Sequence, residues 1–291
     1  MPFQGEIARR LAGNRSPESH LAWGGALHFA DDTPRATNDL DYFHDSEEAV
    51  ARAFEADAVT LKEFGCGLAL KINRPGFVRA VVSRGKEATK VDWAADSAWR
   101  FFPAVPHPEL GYVLHPLDLA VNKVLALVGR DEPRDYLDVL YVHKKHLSLG
   151  ALCWAAAGKD PGLSPALILD LMARKNHYRA EQFQAVATMG RPDLPALKRE
   201  WLDALAGARA LVEQLPAGEA GCLYYNPESG RFVTPGADTS GLKRHHGRPG
   251  GCIPEVGERA LISGDAGALK YLDRPLPDAG KGRGTARGAA R

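Results

Sequence analysis

The stretch WGGALHFADDTPRATNDLDYFHD, residues 23–45, decides how the rest of the chain is read. A glycine pair, Gly24-Gly25, stands fourteen residues ahead of Asp39, and Asp41 follows two residues later. DLDYFHD has the residues of a strand, yet a strand interior is a poor place for aspartate. Strand side chains alternate between faces, so Asp39 and Asp41 share one, with Cα atoms about 6.6 Å apart. Two carboxylates so placed can hold one hard divalent cation, or bracket a pair of them. They can equally be solvated or salt-bridged acids on an exposed edge. The glycine pair bears on that choice. Glycine lets backbone N–H groups approach a ligand closely, and a helix starting at ALHF would aim its positive end at an anion. The expectation is a phosphate cradle followed by a metal-binding pair; for Gly24-Gly25 alone, an ordinary turn is the plain alternative.

Outward from this stretch, short elements alternate. A helix is expected over residues 4–12, and HLAWGG reads as a strand ending in the glycine turn. After DLDYFHD, Ser46 is placed to cap a helix whose first turn is acidic. Three β-rich runs follow, CGLALKINR, FVRAVVSR and TKVDWAA, the first two joined by Pro75-Gly76 as a hairpin. This order gives an α+β fold, a small mixed sheet with flanking helices, rather than a regular βαβ repeat. Asp92 lies in the third run between Val91 and Trp93, with Lys90 on its own face. An aspartate inside an apolar strand is costly unless paired or metal-bound. If that strand lies beside the Asp39 strand, three carboxylates converge.

Residues 113–215 read as a helical domain following a core of residues 1–112. Pro116 suits a first helical turn and Gly129 a last one, and another helix starts near Pro133. On the first, Asp118 and Asn122 form a polar stripe. Lys123 sits among Leu119, Ala120, Ala126 and Leu127, so it either snorkels outward or meets a buried anion. On the second, Arg134 and Asp138 are i,i+4 partners and Asp135 and Asp138 are i,i+3. Leu194, Leu197, Trp201, Leu205, Ala208 and Val212 mark one apolar face of the last helix, with Asp193 as its cap. Residues 216–291 carry 15 of the 30 glycines and form a third region, partly disordered, with a hairpin expected around Asn226-Pro227. His143 and His146 in HKKH are read as a solvated helix face rather than as metal ligands.

The bulk properties exclude more than they assign. A formal net charge of +1 over 291 residues gives no global basic field for nucleic acid. The four cysteines form no CxxC pair, which argues for reduced thiols. MPFQGEIARRLAG lacks the apolar run of a signal peptide, and no stretch approaches the ~18 apolar residues of a membrane span. A cytoplasmic protein without membrane partners is expected.

Taken in order, these residues resemble the DNA polymerase β-like nucleotidyltransferases, more narrowly the AbiEii/AbiGii toxin group. The resemblance is carried by Gly24-Gly25-Ala26-Leu27, by Arg35-Ala36-Thr37-Asn38-Asp39-Leu40-Asp41, by Asp92, by Lys123, and by Arg134-Asp135-Tyr136-Leu137-Asp138. It departs from the group at Ala26, where threonine is usual, and at Thr37, where serine is common. What it implies is transfer of a nucleoside monophosphate from an NTP to an acceptor hydroxyl, with Mg²⁺ or Mn²⁺ as cofactor. Asp39, Asp41 and Asp92 would be the catalytic, metal-binding acids. Gly24, Gly25, Thr37, Lys123, Arg134, Asp135 and Asp138 would bind the nucleotide. The acceptor class includes tRNA and other RNA, and a toxin would have a cognate antitoxin. Alternatives are a nucleotide-binding regulatory relative with little activity, and a transferase acting on proteins or small molecules.

Overall fold

A computed structural model describes residues 2–22, 39–184, 186 and 193–254. Gly24, Gly25, Ala26, Arg35 and Thr37 lie outside the described residues, as do the last 37 residues of the chain.

The strands are β1 (Ser19–Ala22), β2 (Asp39–His44), β3 (Gly67–Arg74), β4 (Phe77–Arg84), β5 (Glu87–Ala95), β6 (Trp99–Arg100), β7 (Val105–His107) and β8 (Gly111–Val113). Seven of them form one sheet in the order β3-β4-β5-β2-β1-β8-β7. The β2–β5 and β1–β8 pairs are parallel and the other neighbours antiparallel. This mixed sheet with helices on its faces is the α+β class read from the sequence. The β3–β4 hairpin turns at Pro75-Gly76, with Gly76 at φ +72°. Strands β7 and β8 were not legible: each has three residues, too few for an alternating pattern, and β7 contains Pro106.

Among the described residues, two helices cover one face, α1 (Pro2–Leu11) and α2 (Glu47–Glu63). Phe3, Ile7 and Leu11 of α1 and Val50, Ala53 and Leu61 of α2 pack on Leu40, Tyr42, Val78, Ala80, Val82, Val91 and Trp93. Ser46 caps α2 by accepting from the Ala49 N–H at 3.1 Å. The apolar stripe of α2 is interrupted by Asp57, which is fully buried. Its carboxylate accepts from Arg15 Nη2 at 2.5 Å, Trp93 Nε1 at 2.6 Å and Asn14 Nδ2 at 2.8 Å. Burial pushes the Asp57 carboxyl up, and Arg15 and these donors oppose the shift. Sequence reasoning missed this network. The available signal was an acid at the 3-4-4 spacing Val50, Ala53, Asp57, Leu61.

The opposite face meets the helical region, α3 (Pro116–Gly129), α4 (Pro133–Lys145), α5 (Leu149–Lys159), α6 (Pro165–Ala173), α7 (Ala180–Gln184) and α8 (Leu194–Gln214). Its core joins Ala22 of β1 and Phe43 of β2 to buried residues of these helices, including Trp201, Leu205 and Ala208. Asp193 caps α8, as expected. Three further strands, β9 (Cys222–Asn226), β10 (Arg231–Val233) and β11 (Lys243–His246), form a small sheet that includes the hairpin expected at Asn226-Pro227. It docks where the Gly158 and Gly221 backbones touch: a Cβ on Gly158 would fall 2.2 Å from the Gly221 carbonyl oxygen. All four cysteines are free thiols. Among the described residues no helix is long and apolar enough to cross a membrane.

His44, at the end of β2, is fully buried, with neither ring nitrogen hydrogen-bonded among the described residues. Burial first, then the charge of Arg15, lowers its pKa to about 3. The folded value lies below the unfolded ~6.5, so stability is whole above pH ~6.5 and is lost as pH falls toward 3. His44→Leu cannot take up that proton. Between pH 7 and pH 5, its stability relative to wild type therefore improves by about 2 kcal/mol, measured by urea unfolding at both values. A gap that does not change with pH would contradict a neutral buried imidazole.

Candidate active site

Strand pairing puts Asp39, Asp41 and Asp92 on one face. In the parallel β2–β5 pair, Asp41 lies directly opposite Asp92, and Asp39 lies opposite Lys90. Directly paired residues project to the same side of a sheet. In the antiparallel β4–β5 pair, Arg79 lies opposite Asp92, and in β1–β2 Ala22 lies opposite Asp41. One row across the sheet therefore reads Arg79, Asp92, Asp41, Ala22. Ala22 and Phe43 are covered by the helical core, whereas the Arg79 and Lys90 side chains are 35% exposed. The acids thus stand at the border between the covered and open parts of the face.

Two of the three acids are ion-paired. Lys90 Nζ is 2.7 Å from Asp39 Oδ2. Arg79 grips Asp92 by both carboxylate oxygens, Nε to Oδ1 at 2.8 Å and Nη2 to Oδ2 at 2.6 Å. No donor or cation among the described residues is within hydrogen-bond distance of Asp41. Burial, then the charges of Asp39 and Asp92, raise its carboxyl to about 7; Lys90 and Lys123 oppose the rise. An acid with a buried side and two acidic neighbours resists ionisation because its charged form has lost water and meets like charge.

The helical residues approach from across the border. Lys123 of α3 is 1% exposed and meets a buried anion, its Nζ 2.7 Å from Asp138 Oδ2 on α4. Of the two outcomes open to a lysine in that apolar setting, this is the second. Asp135 takes Arg130 rather than a nucleotide-facing partner, with Nε to Oδ2 at 2.5 Å and Nη2 to Oδ1 at 2.8 Å. The i,i+4 pair Arg134–Asp138 does not form as an ion pair, because Lys123 reaches the Asp138 carboxylate from the facing helix. Arg134 Nε is buried without a hydrogen-bond partner among the described residues. Arg130, unremarked in the sequence, is near enough for the Asp41 charge to act on it.

Asp118 is no part of this face. It is fully buried and accepts from the Phe101 and Phe102 N–H groups at 2.8 and 2.9 Å, fixing the chain between β6 and β7. His115 caps α3 through Nδ1, which accepts from the Leu117 N–H at 3.2 Å. His143 is not a solvated residue either: its Nδ1 accepts from the Leu149 N–H at 2.9 Å.

Hard oxygen donors on one face, with no hydrogen-bond partner for Asp41 among the described residues, suit a Mg²⁺-like ion. The outer acids fit less directly, since Arg79 and Lys90 already neutralise them. Among the described residues, no group of three or more His, Cys, Asp or Glu side chains is gathered closely enough to hold a metal. The donor chemistry fits such an ion, therefore, while a three-acid cage would need Arg79 to release Asp92.

No family model matches the chain, and no curated protein matches it. Solved structures to which the chain is similar include MenT4, a nucleotidyltransferase toxin of Mycobacterium tuberculosis, at 12% identity and a TM-score of 0.47, covering 74% of this chain and 83% of that one. JHP933 from Helicobacter pylori is similar at 16% identity and a TM-score of 0.42, covering 73% and 94%. An H. pylori protein described as a candidate nucleotidyltransferase gives 16% identity and a TM-score of 0.42, covering 74% and 97%. The functional reading rests on this chain's own residues.

Proposed function

We propose that the protein is a metal-dependent nucleotidyltransferase that moves a nucleoside monophosphate from an NTP to an acceptor hydroxyl. The observation that carries this reading is the register of β2 and β5, which sets Asp41 opposite Asp92 and beside Asp39, with Lys123 near enough for its charge to act on Asp41. In the reaction, the acceptor oxygen forms a bond to the α-phosphorus as the bond from that phosphorus to the α–β bridging oxygen breaks. The acceptor proton passes to a carboxylate, for which Asp92 is the candidate, and pyrophosphate leaves. Asp39 and Asp41 would hold Mg²⁺ or Mn²⁺, which when bound supplies positive charge for the phosphate oxygens. Lys123, held by Asp138, contributes a fixed positive charge to the same region. Gly24, Gly25 and Thr37 are assigned to the triphosphate and Arg134 to the nucleotide from the sequence motif, while Asp135, fully buried and bound to Arg130, would act on the nucleotide only by positioning that arginine.

We take RNA, tRNA among it, as the acceptor class, and a toxin with a cognate antitoxin as the biological setting, in a cytoplasmic protein. A nucleotide-binding regulator is the second reading, favoured by the ion pairs that already occupy Asp39 and Asp92. Each α-labelled NTP, incubated with Mg²⁺ and the protein with and without bulk RNA, separates the two. Label entering RNA, or protein, supports transfer; label entering neither, with nucleotide still bound, leaves the regulator. Omission of divalent ion is expected to remove all transfer.

A further inference from the structure

We propose that Arg79 is a resident cation that holds Asp92 until a divalent ion arrives, and thereby sets how tightly the site takes that ion. The proposal rests on the nucleotidyltransferase reading and adds a positioning residue to it. Register alone places Arg79 beside Asp92, at the open end of the acid row. The guanidinium fork satisfies both carboxylate oxygens at 2.8 and 2.6 Å, so Asp92 is held as firmly as an arginine can hold it. Both Asp41 and Asp39 add to the attraction on Arg79.

What separates this pair from a structural strut is its exposure. Arg15, which holds Asp57, is buried on every side, and Lys123 is 1% exposed; neither can leave without opening a void. The Arg79 side chain is 35% exposed and can withdraw into solvent. Asp39, Asp41 and Asp92 share one face, and the carboxylates of Asp39 and Asp92 already hold Lys90 and Arg79. An entering divalent ion is drawn to these carboxylates but meets the guanidinium. Like charges a few ångströms apart repel strongly where water is partly excluded. The resident arginine therefore disfavours a metal that arrives without nucleotide and opposes the third acid, Asp92, joining Asp39 and Asp41.

The test is Mn²⁺ binding to the full-length chain without nucleotide, read from the electron paramagnetic resonance signal of free Mn²⁺. Arg79→Gln is expected to bind Mn²⁺ about tenfold tighter than wild type, and adding Asp41→Asn to it is expected to remove the gain. Unchanged or weaker binding by Arg79→Gln overturns the proposal while leaving metal binding, and the transferase reading, in place. Absence of Mn²⁺ binding in both chains overturns the proposal, and its absence again when NTP is added overturns the transferase reading as well. If Arg79→Gln does not fold, Arg79→Lys keeps the charge and loses the fork; a gain of a few fold is then expected, and weaker binding overturns the idea.

Discussion

Asp41→Asn is expected to abolish nucleotide transfer and to make the protein more stable. The substitution keeps the shape of the side chain and removes its charge. Loss of a charged metal ligand removes several kcal/mol of stabilisation at the reacting phosphate, so transfer should fall by about a thousandfold or more. Stability moves the other way. The folded pKa of Asp41 is about 7 against an ordinary 3.8, because the carboxylate is partly desolvated and sits among Asp39 and Asp92. A raised carboxyl favours the fold below its unfolded value, and that benefit is lost as pH rises through the folded one. The advantage of Asp41→Asn over wild type therefore opens between about pH 4 and pH 7 and levels off above. Allowing for solvent at this half-buried group, it should reach about 1–3 kcal/mol at pH 8. Labelled transfer and urea unfolding of the same preparations check both halves. A variant that is inactive and less stable at pH 8 would mean that Asp41 supports the fold instead of straining it.

Lys123→Met is expected to destabilise the protein by about 3–5 kcal/mol, because it leaves the Asp138 carboxylate buried without its lysine. The companion Asp138→Leu should cost a similar amount by removing the carboxylate that the buried ammonium holds. The double variant Lys123→Met/Asp138→Leu places two apolar side chains where the pair was, and should recover most of the stability, as buried ion pairs replaced by packed hydrocarbon often do. It should not recover transfer if Lys123 supplies charge at the site. A double variant with wild-type transfer would assign the pair to structure alone. Single variants as stable as wild type would show that water reaches Asp138.

The sequence carried the parts of the fold whose residues announce themselves locally. Ser46 and Asp193 have the capping chemistry of helix starts, Pro75-Gly76 sits between two alternating runs, and the Trp201 face repeats at helical spacing. The acids of β2 and β5 were visible for the same reason, since aspartate within apolar strands breaks the expected pattern. Their register was not visible, because which strands pair is a long-range choice. That choice brings Arg79 to Asp92 and Lys90 to Asp39, and neither pair was legible. Arg134 was assigned to Asp138 because i,i+4 neighbours face each other on a helix. The carboxylate instead found Lys123 on the facing helix, where the desolvated lysine has greater need of it. Asp57 and the short strands β7 and β8 were missed for opposite reasons: the first is one acid among several on α2, and the others are too brief to show any period.

The most direct measurement of the central claim is a crystal structure of the full chain with Mn²⁺ and an NTP analogue that cannot be cleaved between the α and β phosphorus atoms, read by Mn anomalous scattering. The account predicts a Mn²⁺ peak coordinated by Asp39 and Asp41, with triphosphate oxygens on the same ion and Asp92 turned toward it. Nucleotide bound elsewhere, or no peak at Asp41 at saturating Mn²⁺, would contradict it.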